Sequence, residues 1–349
     1  AIPADCWLNI PHMFTDSAVQ KIVETARDNL APGLKLYVEY GNEIWNFGFD
    51  QTYWAIARGK ALGIPEASNQ ALHSYYGLKL AQLMPLVTST WTTKRAAGDL
   101  YRVMAIQAHA GSNSADPTSA YRLKGTDLCG TSCGNARYQT IVGADHNAAP
   151  NRPVDFIDVG SFAPYVSGYQ LAAIDGGYRN PIDPNALAAA DNYAAGGAEN
   201  IASALTYVDN DLRNDAAGFI FSLAYQNNVL YPGWGSLFAS YGKTIAQYEG
   251  GYEGWYPSAR ICTSRGISAT YCGPGGKIDL LLRGYRNDDR FRAAMRDNFA
   301  RFVSNSPRGS LPSWYTLGPG YSRWSIMSGD LYSPAFKSKD AVVNFAHGQ

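Results

Sequence analysis

Residues 34–46, LKLYVEYGNEIWN, determine the predicted fold, because they contain a strand-like run with one carboxylate inside it and a second carboxylate just after its end. The first half of this stretch is rich in aliphatic and aromatic residues, which is typical of a buried β-strand. A carboxylate in such surroundings is costly to desolvate unless it is paired or used chemically. Glu39 and Glu43 therefore each require a structural or a functional explanation.

Further strand and helix patterns extend to both sides of this stretch. Short hydrophobic runs predict strands at residues 6–10, 34–40, 101–107, 155–160, 243–248 and 314–317. Helical spacing predicts one helix from a cap at Thr15 or Asp16 to the break at Pro32-Gly33. Further helices are predicted at 51–62, 67–86, about 90–97, 199–213, 216–227 and 288–304. Strands that alternate with helices favour an α/β fold with a parallel sheet.

Long aromatic loops after the strands favour a (β/α)8 TIM barrel, whose active site is built from loops at the C-terminal strand ends. A doubly wound sheet is the alternative, but the chain contains neither a GxGxxG nor a Walker sequence. Only six strand patterns are present where a barrel has eight, so we expect a barrel that lacks its first two βα units or has them truncated. The alternatives are that the chain pairs with another segment or that the insertion contains further strands. Residues 1–349 would then form a single TIM-barrel-like catalytic domain. It would carry a long insertion at about 166–240 and a disulfide loop at about 257–275.

The five cysteines predict an oxidising environment. Cys129 and Cys133 bracket a short Gly/Thr loop, and Cys262 and Cys272 bracket a second loop, so we expect two local disulfides with Cys6 left over. A zinc site is the alternative, although none of the five histidines lies at ligand spacing near these cysteines. Disulfides favour a secreted or periplasmic protein.

Composition narrows the classes of partner. The formal net charge is zero and only 17% of the residues are charged, so neither nucleic acid nor an anionic membrane surface is an expected partner. The sequence contains no apolar run of about 18 residues and no signal-peptide pattern. Aromatic residues reach 13%, with 24 tyrosines and 8 tryptophans. A weakly charged, tyrosine-rich surface suits neutral ligands such as sugars, and a tyrosine-rich core would explain the composition equally well.

Two glutamates occupy matching positions directly after predicted strands: Glu43 after strand 34–40 and Glu249 after strand 243–248. In a barrel both carboxylates would lie at the same mouth. Retaining glycoside hydrolysis uses such a pair, because one carboxyl group protonates the leaving oxygen and the other attacks the anomeric carbon, with about 5 to 5.5 Å between them. Two solvated loop charges are the simpler alternative. Glu253 is the alternative nucleophile.

The segment Glu39-x-x-Asn42-Glu43 resembles the E-x-x-N-E signature on the fourth strand of the clan A glycoside hydrolases. These are retaining (β/α)8 enzymes that include many cellulases, mannanases and β-galactosidases. The resemblance implies that Glu43 is the acid/base and Glu249 the nucleophile, and that Asn42 binds the sugar 2-hydroxyl group. It also implies that the strands recognised here are the third to the eighth of a barrel.

The chain is also similar to bacterial proteins that share a YVEYxNEVWN motif and are often labelled cellulose-binding. One feature departs from clan A. The arginine that the clan commonly places on strand two, where it orders the nucleophile, has no counterpart among the strands predicted here.

Other residues near predicted strand ends are candidates for substrate contacts. Asn9, His12 and His109 are expected near the cleaved bond, and Tyr165 is expected to hydrogen-bond either the nucleophile or the sugar. Candidate sugar-stacking rings are Trp45, Trp255, Trp314 and Trp324. Core packing is the alternative for all five aromatic residues. Glu39 is expected to form an interior ion pair with Arg102 on the next strand.

Together these patterns predict a retaining glycoside hydrolase that cleaves a β-linked polysaccharide or oligosaccharide, of which β-glucan or cellulose is the favoured class. The predicted reaction is a double displacement without a metal or another cofactor. The alternative function is a non-catalytic carbohydrate-binding protein on a degenerate glycosidase barrel. A Ser/His/Asp hydrolase fits poorly, because no G-x-S-x-G sequence is present.

Overall fold

The computed structural model describes residues 5–64, 69–108, 152–168, 183–213, 221–252, 257–310 and 312. Its strands are β1 (Cys6–Ile10), β2 (Leu36–Tyr40), β3 (Leu100–Ala105), β4 (Val159–Phe162), β5 (Tyr165–Val166), β6 (Thr244–Gln247) and β7 (Gly251–Tyr252). Its α-helices are α1 (Asp16–Asn29), α2 (Asp50–Ala61), α3 (Gln70–Thr92), α4 (Pro184–Ala195), α5 (Ala198–Arg213), α6 (Leu223–Tyr225), α7 (Tyr231–Ser240), α8 (Ala259–Ser264), α9 (Lys277–Arg286) and α10 (Asp289–Ser304). A π-helical turn, Gln226–Leu230, joins α6 to α7.

The described residues fall into two compact units. The first unit takes those within 1–162, 233–246 and 307–310, and the second takes those within 163–232 and 247–306 together with residue 312. The first unit is built on a parallel sheet of five strands in the order β1-β2-β3-β4-β6. The predicted α/β class with a parallel sheet is confirmed.

Neighbouring strands of this sheet follow one another along the chain, so the strand order does not reverse. The register places Cys6 beside Leu36, Leu36 beside Leu100, and Val103 beside Val159. A doubly wound sheet would contain a reversal of strand order at its ligand-binding crevice. This sheet instead winds in one direction across all five strands.

Helices cover one face of the sheet. Tyr40 of β2 stacks on Tyr76 of α3 with ring centroids 6.2 Å apart. Gly160 of β4 lies so close to Phe238 of α7 that a Cβ atom there would be 2.2 Å from the ring. Because side chains alternate along a strand, the strand residues adjacent in sequence to Tyr40 and Gly160 point to the opposite face of the sheet.

The face opposite the helices carries an apolar cluster of its own. Its buried members are Tyr37, Val103, Val159 and Ala246, with Trp7 and Tyr101 packed against them. The rings of Trp7, Tyr37 and Tyr101 stack across β1, β2 and β3, with centroid separations of 5.3 and 4.8 Å. Burial raises the pKa of Tyr37 to about 12. Glu39 belongs to this face by alternation with Tyr37.

The second unit is mainly helical. Its core combines residues of α4, α5, α9 and α10 with Val166 of β5 and Tyr252 of β7. A disulfide between Cys262 and Cys272 links α8 to the segment that follows it, and Cys262 is itself part of the core. The predicted Cys262–Cys272 pairing is therefore confirmed. Cys6 is a free thiol, and the predicted Cys129–Cys133 pair lies outside the described residues.

Several predicted helices and strands shift in the structure. The helix predicted at 67–86 is longer, because α3 continues through Pro85 to Thr92 and includes part of the helix expected at 90–97. The strand predicted at 155–160 begins only at Val159. Before it, Pro153–Phe156 form a 3₁₀ turn in which the Asp155 side chain accepts hydrogen bonds from the backbone and side chain of Arg152.

Three helices were not predicted: α4, α8 and α9. The helix expected at 216–227 is described only from Leu223 onward, and the helical segment that begins there continues to Ser240. None of the helices in the described part of the chain is long and apolar enough to cross a lipid bilayer.

Gly59 of α2 lies directly against the backbone of Ala71 in α3. A Cβ atom at Gly59 would lie 2.2 Å from the backbone oxygen of Ala71, so the two helices would have to move apart. We expect Gly59→Ala to lower the free energy of unfolding by about 1–3 kcal/mol, as overpacked interiors do. Gly98→Ala is the matched control, because no atom lies within 4 Å of its added methyl group. Equal denaturation midpoints for the two variants would contradict this packing.

Candidate functional site

Glu43 lies in a tight turn directly after β2. Gly41 and Glu43 both have left-handed backbones, with φ values of 67° and 52°. Glycine adopts this conformation freely, whereas a glutamate there costs about 1 kcal/mol or more. The Gly41 amide donates to the Ile10 carbonyl oxygen at 2.8 Å, and the Asn46 amide donates to the Glu43 carbonyl oxygen at 2.9 Å. The turn thus holds the half-buried Glu43 in a strained but well-defined position.

Asn46 holds the carboxylate of Glu43. Its Nδ2 donates to Glu43 Oε2 at 2.7 Å, while its Oδ1 accepts from the Gly48 amide at 2.9 Å. The Thr52 hydroxyl group donates to the Asn46 carbonyl oxygen at 2.6 Å. Asn46 was not singled out in the sequence, although it ends the motif that contains Glu43. The geometry assigns it as a positioning residue for this carboxylate.

The other predicted residues of the first unit differ in their accessibility. Asn42 is half-buried, and its carbonyl oxygen accepts a hydrogen bond from Gln51 Nε2. Asn9 is exposed and lies beside Glu39 in the register of β1 and β2. The ring of His12 packs edge-on against Trp54 with centroids 5.0 Å apart, and burial lowers the pKa of its imidazole.

Trp45 was predicted as a sugar-stacking ring. It is only 6% exposed and packs edge-on against Tyr76 of α3 with centroids 6.2 Å apart. A ring buried to this extent cannot offer a face to a sugar, so Trp45 is a core side chain that anchors the loop after β2.

Glu249 lies in the second unit, two residues after the end of β6. Its Oε2 accepts a hydrogen bond from the hydroxyl group of Tyr165 at 2.6 Å. A short two-stranded ladder positions this pair, because Tyr165 of β5 lies beside Gly251 of β7. Of the two contacts expected for Tyr165, the structure contains the one to Glu249.

A buried glutamine binds the backbone of Tyr165. Gln226, which is fully buried in the π-helical turn, donates through Nε2 to the Tyr165 carbonyl oxygen and accepts from the Tyr231 hydroxyl group at 3.0 Å. Tyr231 also lies 3.1 Å from Asn298 Oδ1 of α10. π-Helical turns often occur at functional sites, and here the turn links Tyr165 to the core of the second unit.

The predicted ion pair between Glu39 and Arg102 is wrong. Glu39 is fully buried and accepts a hydrogen bond from Trp7 Nε1 at 2.9 Å. Its neighbour in the sheet is Val103, so Arg102, one residue earlier, points to the opposite face. Arg102 instead forms a bidentate pair with Asp158, with N–O distances of 2.8 and 2.7 Å.

A group of exposed apolar residues was not predicted from the sequence. They follow β1 and β2 and are Met13, Phe14, Phe47, Phe49 and Tyr53, with exposed fractions between 36% and 68%. The signal was present in the sequence, because the segment WNFGFDQTYW has aromatic residues at close intervals just after Glu43.

Several predicted site residues lie outside the described residues: His109, Trp255, Trp314 and Trp324, together with Glu253. Within the part of the chain that is described, no group of three or more His, Cys, Asp or Glu side chains is arranged to hold a metal ion. Comparison of the chain with protein-family models, curated proteins and solved structures found no match. A hypothesis about function therefore rests on the residues of this chain alone.

Tyr165→Phe tests the contact with Glu249. The substitution removes one hydrogen bond to a carboxylate and leaves the ring in place, and such a bond contributes about 1.5–3 kcal/mol. If Glu249 is the nucleophile that the sequence predicts, kcat on a β-glycan should fall by about 10- to 100-fold, measured by release of reducing sugar. Tyr271→Phe is the control, because it removes an equally short bond of 2.6 Å to Asp191 elsewhere in the second unit. Equal activity of the two variants would argue against a role for Tyr165.

Proposed function

We propose that the protein is a retaining glycoside hydrolase that acts on β-linked glycans, with Glu43 as the acid/base and Glu249 as the nucleophile. The observation that carries this proposal is the position of the two carboxylates. Each follows the C-terminal end of a strand in one parallel sheet, β2 for Glu43 and β6 for Glu249. Each also accepts a short hydrogen bond from a neutral donor, Asn46 or Tyr165.

The proposal includes a (β/α)8 barrel of which the five strands would be the third to the seventh. Two features support it: the strand order follows the chain without reversal, and the helices identified against the sheet pack on one face. In a barrel the other face is the interior, which is filled by side chains rather than open. The stacked rings of Trp7, Tyr37 and Tyr101 on that face fit this role.

The proposed reaction has two steps. The Glu249 carboxylate attacks the anomeric carbon while the Glu43 carboxylic acid protonates the leaving oxygen, which gives a glycosyl ester and frees the first product. Glu43, now ionised, then takes a proton from water as the water attacks the anomeric carbon. The ester bond to Glu249 breaks, and both glutamates return to their initial states. This mechanism requires the carboxyl groups to be about 5 to 5.5 Å apart.

The roles of the neutral donors follow from this scheme. Tyr165 would orient Glu249 so that a lone pair of Oε1 points at the anomeric carbon. Asn46 would fix the carboxyl group of Glu43 so that its proton meets the glycosidic oxygen. Asn42 would bind the sugar 2-hydroxyl group, as the sequence motif implies. The Cys262–Cys272 disulfide supports a secreted or periplasmic location for this activity.

A substrate panel tests the proposed function. The protein is incubated with β-glucans, mannans and xylans, released reducing sugar is measured, and retention of the protein on the same polymers is measured in parallel. The proposal predicts release of sugar from at least one polymer, with the β-configuration in the first-formed product. Binding without cleavage across the panel would instead support the carbohydrate-binding alternative.

A further inference from the structure

Most of the strongly exposed apolar side chains in the described part of the chain follow two neighbouring strands. Among the described residues, eight large hydrophobic side chains are strongly exposed, and five of them follow β1 or β2. These five residues, Met13, Phe14, Phe47, Phe49 and Tyr53, are called the aromatic shelf below. The other three, Val229, Leu280 and Val303, belong to the second unit. Contiguous exposed apolar surface usually marks a binding site.

The two segments of the shelf adjoin each other. β1 and β2 are neighbours in the sheet, and the segments follow the same ends of these parallel strands. The His12 ring contacts Trp54 of α2, and the Tyr40 hydroxyl group donates to the His12 carbonyl oxygen at 3.0 Å. Met13 and Phe14 come directly after His12, and Tyr53 directly precedes Trp54. The segment after β1 therefore packs against the start of α2, and the two parts of the shelf are neighbours.

Part of the shelf is held in place by its own contacts. Phe47 and Tyr53 meet edge-to-face with centroids 6.0 Å apart, and the Tyr53 hydroxyl group donates to the Phe47 carbonyl oxygen at 3.3 Å. The Phe49 amide donates to the Asn46 carbonyl oxygen at 2.9 Å, and Thr52 donates to the same oxygen. A surface already held in place loses little conformational entropy when a ligand binds.

Asn46 joins this surface to Glu43. It binds the Glu43 carboxylate with one side-chain atom, and the shelf begins at the next residue, Phe47. Phe47 is four positions after Glu43, so their Cα atoms lie within about 14 Å of each other. A ligand with its scissile bond at Glu43 would reach the shelf if it extended for a few sugar units beyond that bond.

We propose that the aromatic shelf binds the non-reacting sugars of a β-glucan chain, so that the substrate of the proposed hydrolase is a polymer or a long oligosaccharide. This inference rests on the proposed function for its choice of ligand. Aromatic rings present flat apolar surfaces that match the C–H faces of pyranose rings. Glycan chains are uncharged, as are all five side chains of the shelf.

Binding of cellohexaose, measured by calorimetry, tests the shelf. Glu249→Gln serves as the background to prevent turnover. In that background, Phe47→Ala/Tyr53→Ala is expected to weaken binding by at least about ten-fold, because central aromatic contacts dominate binding energy. Phe49→Ala, whose side chain is 43% exposed, gives a second and milder loss without disturbing a side-chain hydrogen bond. The matched control is Leu280→Ala/Val303→Ala, which removes exposed apolar side chains from the second unit and is expected to leave affinity unchanged.

The outcomes separate this inference from the proposed function. Loss of cellohexaose affinity in the shelf variants supports the shelf even if the native protein releases no reducing sugar, in which case only the proposed hydrolysis fails. Unchanged affinity in the shelf variants, or no binding by the Glu249→Gln protein, overturns the shelf. A change from dimer to monomer on substitution, without a change in affinity, also overturns it, because the surface would then bind a second copy of the chain.

Discussion

Glu249→Gln is expected to lower kcat on a β-glycan by about four orders of magnitude, since the first bond-forming step then has no nucleophile. The amide oxygen of glutamine can still accept the hydrogen bond from Tyr165, so the local structure should persist. Substrate binding should change little, because the side chain keeps its size. Initial rates of sugar release and a thermal unfolding curve check both parts of this expectation.

Glu199→Gln is the control for this variant. Glu199 is an exposed residue in the first turn of α5 in the same unit, so its substitution removes one negative charge without affecting the proposed site. We expect the control to retain native kcat. A Glu249→Gln protein with more than about a tenth of native activity would exclude Glu249 as the nucleophile.

Glu43→Gln is expected to have an effect that depends on the leaving group. With a natural glycan, loss of the general acid should lower kcat by about 10²- to 10⁴-fold. With a dinitrophenyl glycoside, whose leaving group departs without protonation, the first step should stay fast and the glycosyl ester should accumulate. The measurement is a pre-steady-state burst of dinitrophenolate, followed by slow turnover.

Added azide gives a sharper test of the same variant. Azide needs no general base, so it should attack the accumulated ester, restore turnover and release a β-glycosyl azide. Glu24→Gln, on α1 of the same unit, is the control. Neither the dinitrophenyl leaving group nor added azide should make its kinetics differ from those of the native protein. Native turnover of glucan by Glu43→Gln would show that Glu43 is not the acid/base.

Local signals in the sequence predicted much of the fold. The strand at 6–10 matches β1 without change, and the predicted cap at Thr15 or Asp16 matches α1, whose Thr15 hydroxyl oxygen accepts from the Ala18 amide. Asp183 and Pro184 are equally clear start signals for α4, but the alanine-rich segment after them shows little contrast between its faces. α9 has a strong apolar face, and the glycines just before it concealed where it begins.

The candidate site was harder to predict because it depends on contacts between distant residues. Tyr165 and Glu249 are 84 residues apart, and only the pairing of β5 with β7 places the phenol on the carboxylate. The register of β2 and β3 places Val103, not Arg102, beside Glu39. A shift of one residue in this register would move each side chain of a strand to the other face of the sheet. The accessibility of Trp45 likewise depends on the packing of α3, which a single motif does not reveal.

Covalent trapping tests the central claim most directly. The protein is incubated with 2-deoxy-2-fluoro-β-cellobiosyl fluoride, whose glycosyl ester is slow to hydrolyse, and is then digested and analysed by mass spectrometry. The proposed mechanism predicts one fluorocellobiosyl group on the peptide that contains Glu249, and none in the Glu249→Gln variant. A protein that cleaves β-glucan while the label is on another carboxylate, such as Glu253, would contradict it.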